Sequence, residues 1–396
     1  MRSGHTIDRP PATATLDEFA AGKLAALERR ALRRRLAETD RSAGGRAARD
    51  GAALVSFCCN DYLGLSQHPA VKRAAIDAVE RHGAGAGASR LVTGNHPLYA
   101  ALEERLARLK GTEAACVFGS GYLANLGIPP SLVGPDDLIV ADALVHASMQ
   151  AGIRASRARA VFYAHNDMDD CRGLMREHRA GHRHCLIMTE GVFSMDGDRA
   201  PLAELCAIAE DYDAWLMTDD AHGLGVIGGG RGSAAAAGVA GRAPLQMGTL
   251  SKAVGSYGGY LCASRPVIEL MVNRARSLIY ATALPPAAVA ASIAALDLIE
   301  NDSDLVEAPL RKARRFTAAL NLPEAESPIV PLIVGDPAVA LAASRALGES
   351  GFLVAAIRPP TVPEGTSRLR FTFSATHADE DIDRLVAAVR AAGLRA

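Results

Sequence analysis

The segment Gln246-Met-Gly-Thr-Leu-Ser-Lys252-Ala-Val-Gly-Ser-Tyr-Gly-Gly-Tyr260 sets a lone lysine among small residues just after an apolar run, and Asp219-Asp-Ala-His222 ends another apolar run about thirty residues upstream. An amine with small neighbours can close on a carbonyl as an imine. A carboxylate at a neighbouring strand end can keep a ring nitrogen protonated. Together they suit pyridoxal phosphate held as a Schiff base, with Lys252 as the amine and Asp219 beside the ring nitrogen. His222 is then in reach of the phenolic oxygen. His146, in Asp142-Ala-Leu-Val-His-Ala-Ser148, is placed to stack on the ring. Each is ambiguous alone: Asp219 also fits a helix cap, and a single histidine is more often structural. The combination carries the reading. A phosphate needs backbone N–H groups at a helix start with small residues around them, and Gly119-Ser-Gly-Tyr-Leu-Ala-Asn125 offers that.

The elements that must carry these residues follow from periodicity. Short apolar runs (115–118, 138–140, 160–163, 185–188, 214–217, 260–262) alternate with helical stretches, which predicts an α/β fold: a mostly parallel central sheet with helices on both faces. Ligands on such sheets lie at the carboxyl ends of the strands, where Asp142, His146, Thr189, Glu190 and Asp219 collect. Three divisions are expected. Residues 1–52 form an N-terminal helical segment, with a polar, frayed start over 1–14 and an amphipathic, arginine-rich helix from Leu16 to about Glu38. Residues 53–285 form the large cofactor-binding domain. Residues 286–396 form a linker helix and a smaller α+β domain, ordered strand, helix, strand, strand, helix from about 326. Gly228-Gly-Gly-Arg-Gly232 reads as a mobile surface loop.

Composition narrows the classes. With 396 residues, 49% of them hydrophobic, the chain can build large cores, and a formal charge of −1 gives no field for nucleic acid or an anionic membrane. Only five lysines are present. Lys23, Lys72, Lys110 and Lys312 sit in helix-like segments and read as solvated; Lys252 does not. The seven cysteines lack C-x-x-C spacing and lie mostly in apolar runs, so buried reduced thiols and a cytoplasmic setting are expected, without zinc or disulfides. The N-terminus lacks a signal-peptide core, and no run is long enough to span a membrane. A dinucleotide fingerprint fails because Gly83, Gly85 and Gly87 follow no strand. A serine hydrolase fails because neither Ser194 nor Ser120 has elbow glycines.

At Asn60-Asp-Tyr-Leu-Gly-Leu65, Gly121-Tyr-Leu-Ala-Asn125, Thr189-Glu-Gly-Val-Phe-Ser-Met-Asp-Gly-Asp198, Asp219-Asp-Ala-His-Gly223 and Thr249-Leu-Ser-Lys252, the chain resembles the α-oxoamine synthases over roughly residues 50–390. The resemblance implies a fold-type I pyridoxal-phosphate transferase that condenses an amino acid with an acyl thioester and loses CO2. The stretch from Ala356 to His377 is most similar to the branch that joins L-alanine to a pimeloyl thioester in biotin synthesis; sister enzymes using glycine with acetyl- or succinyl-CoA, or an aminotransferase on the same scaffold, are the alternatives. It also implies that Gly121, Tyr122 and Thr249 hold the phosphate and that Ser194 and Asn60 line the site. Arg358 would pair with the amino-acid carboxylate, with Thr361 nearby, and Arg33 would stand near the acyl substrate. Thr282 would reach the phosphate of a second subunit, in a homodimer with shared sites.

Overall fold

The computed structural model describes residues 15–394. The frayed start expected for residues 1–14 lies outside them. Seven strands form the central sheet: β1 (Ala114–Phe118), β2 (Leu138–Asp142), β3 (Arg159–Tyr163), β4 (Cys185–Glu190), β5 (Trp215–Asp219), β6 (Leu245–Thr249) and β7 (Gly259–Ala263). Their order is β1-β7-β6-β5-β4-β2-β3. Only β7 runs against its neighbours; the rest are parallel, as the helical crossovers require. β6 is the strand expected before Lys252, although Gln246 and Gly248 break its apolar run and keep it out of the periodic segments.

Strands in such a sheet are buried on both faces. Ile139 and Ala141 feed the same core as Leu186 and Met188, while Leu138 and Val140 face the opposite core with Cys185 and Ile187. Full burial of Leu186 or Ile187 contributes about 1.5–3 kcal/mol each. Because β2, β4, β5 and β6 are parallel, their polar last residues Asp142, Glu190, Asp219 and Thr249 emerge at one edge.

The C-terminal part packs helices on a three-stranded antiparallel sheet (Ile329–Gly335, Ser367–Thr372, Ala355–Ile357) around Phe316, Phe352, Phe371 and Phe373. The helix Pro286–Asn301 leads into it as expected, followed by a second helix, Ser303–Leu320, that the sequence reading left out. A small four-stranded sheet joins Asp40–Arg41, Arg46–Arg49 and Ala52–Ser56 to Phe352–Leu353. The boundary placed at residue 52 falls inside the third of these strands. The N-terminal helix is also shorter than expected. It spans Leu16–Arg29 and is capped at Thr15, and the chain then turns at Ala31, whose φ is 53°, to bury Leu32. Continuing the helix would stack Arg29, Arg33 and Arg34 at i, i+4 and i+5 and leave Leu32 in solvent.

Lys110 overturns its assignment as a solvated lysine. It is 2% exposed, and its Nζ donates to Asp220 Oδ2 at 2.5 Å and to the Arg231 carbonyl at 2.7 Å. That second bond pins the glycine segment read as a mobile loop. Gly230 and Gly232 are buried, and a Cβ on Gly232 would fall 1.7 Å from Asp220 Oδ2. Lys312 is likewise half-buried, donating to the carbonyls of Ala375 and His377. Replacing Lys110 with Met strands a buried carboxylate, so it should cost about 3–5 kcal/mol in denaturant unfolding. The double variant with Asp220→Asn should recover part of that loss, and an unchanged unfolding midpoint in Lys110→Met would refute the pairing.

Candidate active site

Lys252 projects from the turn after β6 into a cavity of about 250 Å³. Ser120, Gly121, Tyr122, Asn125, His146, Glu190, Asp219, His222 and Thr249 line it with Lys252. Two hydrogen-bonded chains order these side chains. In the first, Lys252 Nζ lies 2.7 Å from His222 Nε2, and His222 Nδ1 lies 2.7 Å from the Tyr62 hydroxyl, which donates to Asn60 Oδ1 at 3.3 Å. Burial, then the nearby cations Lys252 and Arg370, hold His222 well below the usual histidine range. The neutral ring therefore accepts from Lys252 and donates to Tyr62, a tautomer assigned from the network.

The second chain fixes Asp219. Its Oδ2 accepts from Asn125 Nδ2 at 2.6 Å, and its Oδ1 accepts from the Ala221 N–H at 2.9 Å. Asn125 also donates to Ser148 Oγ at 3.0 Å, which donates in turn to His146 Nδ1 at 2.6 Å. His146 caps the helix Ala147–Ser156, accepting from the Ser148 N–H. Burial lowers its pKa, so Nε2 keeps the ring proton and Nδ1 is the acceptor.

Burial also pushes the Lys252 amine down to about 8, against the pull of Asp219 and Glu190. It pushes Glu190 up to about 8, with Asp219 adding to the shift, so Glu190 is a neutral acid near pH 7. Its Oε2 accepts from the Ser194 N–H at 3.1 Å, and its buried Oε1 has no partner.

A helix N-terminus completes the cavity. The helix Gly121–Leu132 begins there with Ser120 as its cap, so the first N–H groups point inward. A Cβ on Gly259 would meet Ser120 C at 2.5 Å and Gly121 N at 2.6 Å, so only glycine lets β7 lie under this turn. Thr249 Oγ1, on the facing strand end, donates to the Gly258 carbonyl at 2.7 Å. An amine that gives up its proton more readily than an exposed lysine, a fixed carboxylate lining the same cavity, and an anion-binding helix start fit pyridoxal phosphate.

The structure thus brings together Lys252, Asp219, His222, His146, Gly121, Tyr122 and Thr249, with Ser194 and Asn60 beside them. It does not bring in Arg358. That guanidinium donates to the Ala31 carbonyl, holding the turn after the first helix. The guanidinium in the cluster belongs to Arg370, which is 5% exposed. It donates through Nε to the Ser194 carbonyl at 2.6 Å and through Nη1 to Asn60 Oδ1 at 3.1 Å, and its buried Nη2 has no partner among the described residues. Arg33 pairs with Glu28. Thr361 accepts from Arg34 and lines an adjoining cleft of about 840 Å³ that also holds His146, Ser194 and Arg30. Thr282 is exposed and bridges to Ser89, outside the lining of the cavity. Arg370 and Tyr62 were not singled out in the sequence, Asn125 entered only as the end of the glycine turn, and Glu190 only as one of the polar residues at the strand ends. The available signal was Arg368-Leu-Arg-Phe-Thr-Phe373: two arginines at i and i+2 in a buried strand must both find partners on one face.

A sequence profile described as aminotransferase class I and II matches residues 52–389. An 8-amino-7-oxononanoate synthase of Methylocella silvestris is 64% identical over 342 residues, 86% of this chain and 97% of that one. Among solved structures, a Sphingomonas wittichii serine palmitoyltransferase superposes with a TM-score of 0.90 at 31% identity, over 97% of this chain and 100% of the other. A serine palmitoyltransferase of S. paucimobilis with a bound pyridoxal-phosphate–myriocin aldimine gives a TM-score of 0.88 at 28% identity, over 96% and 99%.

An amine near 8 is protonated below that pH and nucleophilic above it, so the coenzyme-free chain should be reductively methylated at Lys252 with a midpoint near pH 8, followed by peptide mass mapping. A midpoint of about 10, the ordinary lysine range, would show that burial does not free this amine.

Proposed function

The chain belongs to the class I and II aminotransferases and, within them, to the 8-amino-7-oxononanoate synthases, and we propose that it condenses L-alanine with pimeloyl-CoA, or the same acyl group on a carrier protein, releasing CO2, the free carrier and 8-amino-7-oxononanoate for biotin synthesis. Pyridoxal phosphate is its cofactor; when bound, it supplies an electron-poor ring that takes up the charge left when the amino acid's Cα loses a proton. The observation that carries the reading is Lys252 Nζ, buried, with its pKa pushed down to about 8 and 2.7 Å from a neutral His222, so that the free amine is far easier to reach than in an exposed lysine.

Each surrounding residue has a task that follows from its contacts. The N–H groups of Gly121 and Tyr122, with the Thr249 hydroxyl, hold the phosphate. Asp219, fixed by Asn125 and Ala221, keeps a proton on the ring nitrogen. His222 would meet the cofactor's phenolic oxygen, with Ser194 beside it. His146, which lines the cavity, would lie against the ring when the cofactor is bound, with its Nε2–H free to donate to negative charge on the acyl carbonyl. Lys252 would hold the cofactor covalently and, as an amine at the same site, would take the Cα proton of the amino acid. The unpartnered Arg370 Nη2 meets the alanine carboxylate, a role that falls to this residue rather than Arg358 because Arg370 is the guanidinium in the cluster. Asn60 orients it.

The acyl chain fits the adjoining cleft, whose walls include Leu27, Leu32, Leu144, Val145, Pro359 and Val362, with Thr361 on its side. Arg30, rather than Arg33, lines that cleft. Thr282 lies in a rim that exposes Leu91, Val92 and Tyr280, an apolar surface suited to a second copy of the chain whose phosphate Thr282 would reach. No helix among the described residues is long and apolar enough to cross a membrane, and the thiols are free, which fits a cytoplasmic homodimer.

Incubation of the holoenzyme with L-alanine and pimeloyl-CoA should give a product with the mass of 8-amino-7-oxononanoate, and Lys252→Ala should abolish both that product and the yellow absorbance of bound coenzyme. Turnover only with glycine or serine would overturn the substrate assignment. Arg370→Lys keeps the charge but loses the forked donor, so the KM for L-alanine should rise roughly thirtyfold, about 2 kcal/mol. An unchanged KM would remove Arg370 from the carboxylate.

A further inference from the structure

The imidazole of His165 stands between two carboxylates behind the cavity wall. Nδ1 is 3.1 Å from Asp142 Oδ1, and Nε2 is 2.8 Å from Asp198 Oδ2, so both nitrogens donate. Phe193 meets the ring edge-on at 4.3 Å. Partial burial alone would lower its pKa, but the bonds to Asp142 and Asp198 carry it up to about 10. The ring is charged throughout the neutral range.

Both carboxylates belong to loops that deliver site residues. Asp142 ends β2 with no exposure, and its Oδ1 also accepts from the Leu144 N–H at 2.8 Å, which shapes the turn presenting His146. Its Oδ2 accepts from the Asn166 N–H at 2.9 Å. Asp198 closes the loop after β4: the Phe193 N–H donates to its carbonyl at 3.0 Å, and Asn166 Nδ2 donates to its Oδ2 at 2.9 Å. That loop carries Ser194, whose N–H meets Glu190 and whose carbonyl accepts from Arg370. His165 therefore ties the turn that holds His146 to the loop that orders Glu190 and Arg370.

We propose that His165 is a positioning residue of the active site, a charged strut that keeps the His146 turn and the Ser194 loop at the separation the amino-acid pocket needs. Its kinetic consequence rests on the function proposed above; its effect on the bound ring does not. The role is one of geometry, since His165 does not line the cavity. A buried Asp142 deprived of its imidazolium must draw in water or shift the turn, and either outcome moves His146.

The test uses holoenzyme variants. Asp198→Asn weakens one arm at a partly exposed position, His165→Leu removes both, and His165→Asn retains a donor on the Asp142 side. The readouts are the visible circular dichroism of the bound coenzyme, KM for L-alanine and for pimeloyl-CoA, and the thermal midpoint. In Asp198→Asn and His165→Leu the ellipticity should fall, and KM for L-alanine should rise roughly tenfold or more while KM for pimeloyl-CoA stays within about twofold, because a misplaced wall costs binding at the amino acid first. His165→Asn should fall between wild type and His165→Leu. A lowered thermal midpoint with ellipticity and KM for L-alanine unaltered would make His165 merely structural and overturn the proposal. If His165→Leu does not fold, Asp198→Asn decides by the same criteria. If alanine and pimeloyl-CoA give no product even with the wild type, the functional reading fails, and the ellipticity still judges the strut.

Discussion

An amine, two carboxyl groups and two imidazoles line one cavity, with a buried guanidinium close by, and the structure must leave each in a useful protonation state. Burying charge is expensive, so the groups settle one another. Lys252 gives up its proton more readily than an exposed lysine, Glu190 keeps one that an exposed glutamate would lose, and both histidines stay neutral. Asp219 remains the fixed acceptor because Asn125 and the Ala221 N–H already donate to it. The same balance explains Lys110. Asp220 follows Asp219 directly on the other side of the strand end, and its charge is matched by a buried lysine from the far side of the sheet.

The fold meets this demand through the geometry of parallel strands. β2, β4, β5 and β6 end at one edge, so Asp142, Glu190, Asp219 and Thr249 converge although more than a hundred residues separate the first from the last. Two glycines make the approach possible: Gly259 lets β7 pass under the Ser120-Gly121 turn, and Gly232 makes room for the Asp220 carboxylate. The antiparallel strand Ser367–Thr372 then sends Arg368 and Arg370 from the C-terminal sheet into the loop after β4, where they meet Asp196 and the Ser194 carbonyl.

Much of this was legible in the sequence because its signals are local. A lysine among glycines, Asp-Ala-His after an apolar run, and a glycine turn before a helix each announce themselves within a few residues, as did the α/β alternation. What escaped depends on pairings across the chain. Lys110 looked solvated because its partner lies 110 positions away, and Gly228–Gly232 looked loose because its anchor is that same lysine. Arg358 was given the amino-acid carboxylate by family resemblance, but its guanidinium goes to the Ala31 carbonyl, and only the register of Ser367–Thr372 against Ile329–Gly335 brings the Arg370 guanidinium into the cluster. The N-terminal helix ended early for a similar reason. Ala31 gives its carbonyl to Arg358, and Leu32 finds a buried place.

The two halves of the site are built from different materials, and that difference bears on how such a chain can vary. The residues around Lys252 stand on strand ends or the first turns of helices, held by at least two hydrogen bonds in the case of Asp219, His222, His146 and Arg370. Moving any one unsettles the charge balance of the others. The adjoining cleft is walled by apolar side chains on loops, Leu144, Val145 and Pro359 to Pro363, and on the turn around Leu27 and Leu32. Substitutions there change length and width without touching a buried charge, and loops tolerate such change. If this cleft takes the acyl chain, as proposed above, its length preference can drift while the polar cavity stays fixed. The apolar cleft meets the polar cavity at His146, which lines both, so the imidazole shared by the two spaces is also the one held through Ser148 and Asn125 to Asp219.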